Sequence, residues 1–375
     1  MPSPPSPFAS TYAQARELFS RTAQAAGGHL TAISHPLPGP TGESLAIDLA
    51  LLGPDDAHTV VVCLSGVHGA EGFAGSGAQV AWLQHHAGGS LPDGVSMLFV
   101  HGVNPWGFAH GLRGTEDNID INRNWLDHTQ PHPQNPLYAE IHPHLCPPDM
   151  SRASVEKMLM AGGRFVERHG QWALEDAISR GQYTHPDGYH FGGTSLAWST
   201  RELQKVVRER LATARRVAYV DFHSGPVGNG ETIFLCFSDE ESVSRTRAAQ
   251  WWGEDALAAQ TVEKQWGSQR PTRSGIVFWG LEKMLEGQAD VAGAVVEFCS
   301  ARARSEARYI MRIPMLERWL RFVGGLDAPE APGYLMEIRD TYAPRRADWE
   351  RRVAAGAIDV LDKTLAGAAA WAHES

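Results

Sequence analysis

Residues 59–77 read TVVVCLSGVHGAEGFAGSG. Thr59–Leu64 is apolar almost throughout, the mark of a strand covered on both faces in an α/β protein. Phe73–His86, FAGSGAQVAWLQHH, then reads as a helix seated closely on the sheet through its small residues. Between strand and helix stands His68-Gly-Ala-Glu71. The same alternation extends in both directions. A helix over roughly 11–26 ends at Gly27-Gly28 and is followed by a strand at Leu45–Leu52. Further buried strands are expected at Ser96–His101, Val217–Phe222, Glu231–Phe237 and Ala294–Phe298. Helical patterns occupy 151–180 and 199–214, and the chain is mostly helical from about 304, with a last helix near 346–372. The fold class expected is α/β: a mixed, mostly parallel central sheet flanked by helices. It forms one domain over 11–375, after a flexible Pro/Ser-rich start at 1–10, with a helical insertion near 126–216. In such sheets the chemistry gathers outside the carboxyl ends of the strands.

Composition narrows the partners. The chain has 375 residues and a formal net charge of -10, which argues against nucleic acid or an anionic membrane surface as partner. No apolar run approaches the roughly 20 residues that span a bilayer. MPSPPSPFAS lacks the basic and apolar regions of a signal peptide, so a cytoplasmic location is expected. Cys63, Cys146, Cys236 and Cys299 form no CxxC pair, which disfavours a thiolate zinc site and favours reduced, mostly buried thiols.

Four groups of residues carry chemistry. His68 and Glu71 lie three apart in a glycine-rich turn at a strand end, where an imidazole and a carboxylate can converge on one cation; HxxE alone is a weak signal. His223 ends the strand VAYVDFH and shares a strand face with Asp221. Two histidines and one carboxylate leave a coordination position open for water, as catalytic zinc requires. Arg113 and Arg123 lie in GLRGTEDNIDINRNW (111–125), and arginine suits carboxylate binding and oxyanion stabilisation. Glu297, in AVVEF, is costly to bury without a partner or a task. Each has a plainer alternative: a strand-end histidine, a solvated loop, a structural ion pair.

Taken together, HxxE, Arg, DxNRN, DxH and EF, in that order over about residues 40–300, resemble the zinc metallocarboxypeptidase superfamily. This superfamily includes carboxypeptidase A, succinylglutamate desuccinylase and aspartoacylase, and the chain looks most like an uncharacterised bacterial carboxypeptidase-like branch. The resemblance implies one Zn2+ held by His68, Glu71 and His223, with Asp120 orienting His68. It implies Glu297 as general base and acid, Arg113 as oxyanion stabiliser, and Asn122 and Arg123 as the clamp for a substrate carboxylate. The substrate implied is a small peptide or acyl-amino acid, cleaved at an amide bond. The sequence departs from the pancreatic-type pattern in having no tyrosine between His223 and Glu297. The short gap from Arg113 to Asn122 is closer to the desuccinylase and aspartoacylase pattern. Two rival readings are a serine esterase using Ser65 or Ser76, which lack a GxSxG elbow, and a non-catalytic carboxylate-binding module.

Overall fold

The structure is a computed structural model that describes residues 5–225, 231–239, 241–258, 272–300 and 307–374. Helix α1 (Tyr12–Ala25) is capped by Thr11, whose hydroxyl accepts the N–H of Gln14. Strands β1 (His29–Pro38), β2 (Ser44–Leu52), β3 (Thr59–Ser65) and β4 (Val95–His101) form one side of a seven-stranded sheet. Helix α2 (Gly72–His85) lies between β3 and β4 in sequence. After them come β5 (Arg216–Gly225), β6 (Thr232–Leu235) and β7 (Asp290–Cys299). The strand order is β1-β2-β4-β3-β5-β7-β6. The central four, β4, β3, β5 and β7, are mutually parallel, whereas β1, β2 and β6 pair antiparallel at the edges. The sheet is thus mixed, with a parallel core. β3 and β4 are buried at every position, which explains their unbroken apolar runs.

One strand end and one whole strand differ from expectation, and the first matters for the site. β5 continues three residues past Phe222, and its ladder with β7 sets His223 directly opposite Glu297. β1 has no counterpart among the expected strands. HLTAISHPLP carries two prolines and little apolar alternation, features a strand tolerates only where one side needs no ladder bonds, as at this sheet edge.

Helices cover both faces. On one, α1, α2 and the last helix enclose Phe19, Trp82, Phe99, Phe222 and Trp349. On the other, Val62, Leu98, Val100 and Tyr219 meet Leu203 and Leu281. Short helices α3 (Pro105–His110) and α4 (Ile121–Asn124) follow β4. The segment between α4 and β5 holds α5 (Pro136–Leu145), α6 (Arg152–His169), α7 (Gln171–Ser179) and α8 (Trp198–Arg210). α5, α6 and α7 bury Tyr138, Ile141, Leu145, Phe165 and Ala177 against one another, a small core of their own. Next come α9 (Val243–Trp252), α10 (Glu254–Ala258) and α11 (Val277–Met284), then α12 (Ala307–Phe322), α13 (Ala331–Tyr342) and α14 (Ala347–Ala372). Among the described residues no helix is long and apolar enough to cross a membrane. None of the four cysteines is in a disulfide.

Candidate metal centre

Directly after β3 the chain makes one 3-10 turn, Gly69–Glu71. α3 presses so closely on it that a Cβ at Gly69 would stand 2.1 Å from the carbonyl carbon of Gly107. Gly69 also donates its N–H to the carbonyl of Arg113 at 3.0 Å. This clamp points His68 and Glu71 across the end of β3 toward the end of β5. His68 Nδ1 lies 2.8 Å from Glu71 Oε1, and His223 Nδ1 lies 2.9 Å from Glu71 Oε2. The two Nδ1 atoms are 3.1 Å apart. Ser224 donates its backbone N–H to Glu71 Oε2 at 3.0 Å, holding the carboxylate in place. Among the described residues this is the one group of three such side chains whose donor atoms converge, all within 4.8 Å of one another. Ligands bonded tetrahedrally to zinc at about 2.1 Å stand roughly 3.4 Å apart, so the set needs little adjustment to share one ion.

The far side of each ring decides which nitrogen is free. His223 Nε2 lies 2.9 Å from Asp221 Oδ2, which also accepts the hydroxyl of Tyr219 at 3.0 Å. His68 Nε2 lies 3.2 Å from Asp120 Oδ1. Each imidazole can therefore give its Nε2–H to a carboxylate and turn the Nδ1 lone pair inward. Arg113 Nη2 also lies 2.8 Å from His68 Nε2; a guanidinium cannot accept, so this contact is no hydrogen bond once Nε2 carries the proton. Burial opposes charge throughout. Even so, Asp221 and Glu71 hold the His223 pKa well above its ordinary value, while His68 and His223 hold the Glu71 carboxyl well down. The cluster is built around positive charge, and its donor set fits zinc.

Asp120 caps α4: its Oδ1 accepts the N–H of Asn122 at 2.9 Å. Its Oδ2 accepts Arg113 Nε at 3.1 Å, and Arg113 Nη1 lies 3.3 Å from Glu71 Oε1. Burial opposes its ionisation, but Arg113 and His68 keep the Asp120 carboxyl far below the ordinary range. Glu297, opposite His223, has a buried Oε2 with no hydrogen-bond partner among the described residues. Burial first, then the charge of Glu71, pushes its pKa up. His68, Glu71, His223, Asp120, Arg113 and Glu297 thus form one cluster. Asn122 and Arg123 adjoin it with much of their hydrogen bonding already committed. Asn122 Oδ1 accepts the N–H of Val277 at 3.0 Å. Arg123 sends Nε and Nη2 to the carbonyl of Ser179, at 3.1 and 2.6 Å, and Nη1 to the carbonyl of Asn122 at 2.7 Å. Of five N–H groups, two remain without a partner among the described residues. Gly275, at φ +70°, seals this contact, since a Cβ there would stand 2.3 Å from the Arg123 carbonyl oxygen.

Sequence reasoning missed the residues that distant segments bring in. The Arg113 guanidinium lies 5.9 Å from the centroid of the Tyr189 ring, and Tyr342 stands beside that tyrosine. His190, in a left-handed conformation at φ +50°, approaches Asp120 Oδ2 to 3.8 Å. Glu317 Oε1 accepts the Arg113 backbone N–H at 3.0 Å. No local motif announces any of them. The serines of the esterase reading are sealed inside: Ser65 bonds Gln79 and Ser76 bonds His101, all four buried. Residues 226–230, which follow β5, lie outside the described residues.

This sheet and these flanking helices define a carboxypeptidase-like α/β fold. The structure is similar to carboxypeptidase A from Helicoverpa armigera, with a TM-score of 0.52 at 12% identity over 97% of this chain and 75% of that one. Bovine thrombin-activatable fibrinolysis inhibitor also matches, with a TM-score of 0.46 at 11% identity over 94% of this chain and 97% of that one. So does the succinylglutamate desuccinylase from Chromobacterium violaceum, with 0.35 at 15% over 88% and 74%. At such identities the likeness concerns the fold. Within that fold, the chain belongs to the family described as "Protein of unknown function (DUF2817)", which matches residues 8–356. No curated protein matches it.

Proposed function

We propose that the protein is a zinc-dependent hydrolase that cleaves an amide bond in a substrate bearing a free carboxylate, as a carboxypeptidase or an acyl-amino-acid deacylase. The convergence of His68 Nδ1, His223 Nδ1 and Glu71 carries this reading. A zinc ion held by these three supplies a Lewis acid for the carbonyl and lowers the pKa of water toward about 7. Glu297, opposite His223 with one carboxylate oxygen unengaged, takes a proton from the attacking water and delivers it to the leaving amine nitrogen. Its raised pKa suits a group that must both accept and return a proton. Arg113 turns its guanidinium to the carbonyl oxygen as negative charge develops there. Asn122 and the two remaining N–H groups of Arg123 hold the free carboxylate. A cytoplasmic setting agrees with four cysteines outside any disulfide.

Elemental analysis tests the ligand set: one zinc per chain in the wild type and near-total loss in His68→Ala and His223→Ala are expected. Glu297→Gln should keep its zinc yet lose about 10²–10⁴-fold in turnover on a panel of acyl-amino acids and dipeptides. Full occupancy in both histidine variants rejects the metal centre. A Glu297→Gln protein that turns over normally rejects the base.

A further inference from the structure

The segment leading into α11 carries a guanidinium that the proposed reaction does not use. Residues 272–277 run between α7 and α4. Thr272 donates its N–H to Asp176 Oδ1 at 2.8 Å, Gly275 accepts the N–H of Trp125 at 3.1 Å, and Val277 donates to Asn122. These bonds hold Arg273 beside the site. Its guanidinium carbon lies 5.6 Å from the centroid of the Phe237 ring, and its Nε is buried with no hydrogen-bond partner among the described residues. It forms no ion pair with any described residue. The carboxylates that reach it electrostatically are Glu175, Glu297 and Asp120, and the like charges are Arg113 and Arg123.

Arg113, Arg123 and Arg273 are therefore near enough for their charges to act on one another. Arg113 is matched by Asp120 and Glu71. Arg123 is spent largely on two backbone carbonyls. Arg273 makes no hydrogen bond or ion pair with a described residue, Glu175 and Glu297 acting on it only at longer range, and a desolvated cation without a bonded anion is unfavourable. Burial accordingly depresses its pKa. A planar fork with free donors, against an aromatic wall, is suited to a carboxylate.

We propose that Arg273 is the receptor for the substrate's free carboxylate, which it binds together with the two N–H groups that Arg123 keeps available. This rests on the hydrolase reading and names the residue that reads the carboxylate of its substrates. Arg123 then positions the pocket floor, and Arg273 sets the preference for an anion.

The test is calorimetric. Common N-acetyl amino acids and their C-terminal amides are titrated into the full-length protein as purified. The wild type should bind the best carboxylate ligand about tenfold or more tightly than its amide. Arg273→Gln should erase that preference at unchanged zinc content and melting temperature. Arg273→Lys, a point charge without the fork, should keep only part of it, and this variant decides if the glutamine variant does not fold. Glu175→Gln should leave the preference intact. A preference that survives in Arg273→Gln, is complete in Arg273→Lys, or is missing in the wild type overturns the proposal. So does recovery of the preference in the Arg273→Gln, Glu175→Gln double variant, which would make Arg273 only a counter-charge. Lack of turnover by the wild type would reject the hydrolase reading, while the binding preference would still decide Arg273.

Discussion

Both oxygens of Glu71 are engaged, one by His68 and the other by His223 and the Ser224 N–H. A glutamine there would set an NH₂ group against a ring nitrogen that must stay a lone-pair donor. Glu71→Gln should therefore weaken zinc binding by about 10–100-fold or more, read by competition with a chromogenic chelator. Behind the cluster, Glu317 has the opposite environment. Burial pushes its carboxyl from the ordinary 4.5 up to about 7, against the pull of Arg321 and Arg113. The folded state thus holds the proton more tightly than the unfolded chain does. Stability is fully present below the unfolded pKa and is lost as pH rises through about 7, with a total near 3 kcal/mol from this residue. Denaturant unfolding at pH 4.5 and pH 8 should show that slope flattened in Glu317→Gln, whose amide oxygen still accepts the Arg113 N–H. An unchanged slope in the variant would assign the titration elsewhere.

At the scale of elements, α4 is one turn long and yet anchors the segment that runs from it to β5. Asn124 is fully buried. Its Nδ2 donates to the carbonyls of Gly192 and Ser195, both at 2.8 Å, and its Oδ1 accepts from Ala197 N at 2.9 Å and Thr200 Oγ1 at 2.6 Å. Asn124→Ala leaves four polar groups unpaired in a dry interior. With each costing about 1–3 kcal/mol and partial relaxation, a net loss near 3 kcal/mol is expected. The visible consequence should be faster proteolytic cleavage within 184–197, with zinc content retained. Loss of zinc without new cleavage would mean that α4 supports the metal centre rather than that segment. The same turn presents Asp120, Asn122 and Arg123, so one short helix serves the histidine, the pocket floor and that segment.

On the scale of the molecule, the cluster sits where three layers meet. α2 and α14 lie on one face of the sheet, α8 and α11 on the other, and α12 and α13 close over the turn that holds Glu71 by packing Leu316 and Ile338 near Ala70. The ligands come from strand ends that adjoin only in the folded state, so zinc should bind the native chain and not the unfolded one. A metal at 100 times its dissociation constant then adds about 2.7 kcal/mol of stability. A chelator should lower the wild-type melting temperature by several degrees and leave His68→Ala unmoved. Equal shifts in both proteins would mean that the chelator acts away from this centre.

The four central strands and the helices beside them were legible from local patterning, because a strand covered on both faces must be apolar at nearly every position, as Val60–Leu64 and Val217–Phe222 are. The strand-end placement of His68, Glu71, His223 and Glu297 followed from the same runs, since parallel strands in register end together. β1 was not legible, because an edge strand needs neither an apolar run nor a donor at every residue. Nor did patterning disclose that Nδ1 is the inward nitrogen, a choice made by Asp120 and Asp221 on the far side of each ring. Tyr189, His190, Arg273, Glu317 and Tyr342 come toward the site from the segment between α4 and β5, the approach to α11 and the C-terminal helices. Their places depend on how segments far apart in the chain return and pack, and periodicity, which reports only a residue's near neighbours, carries no record of that return.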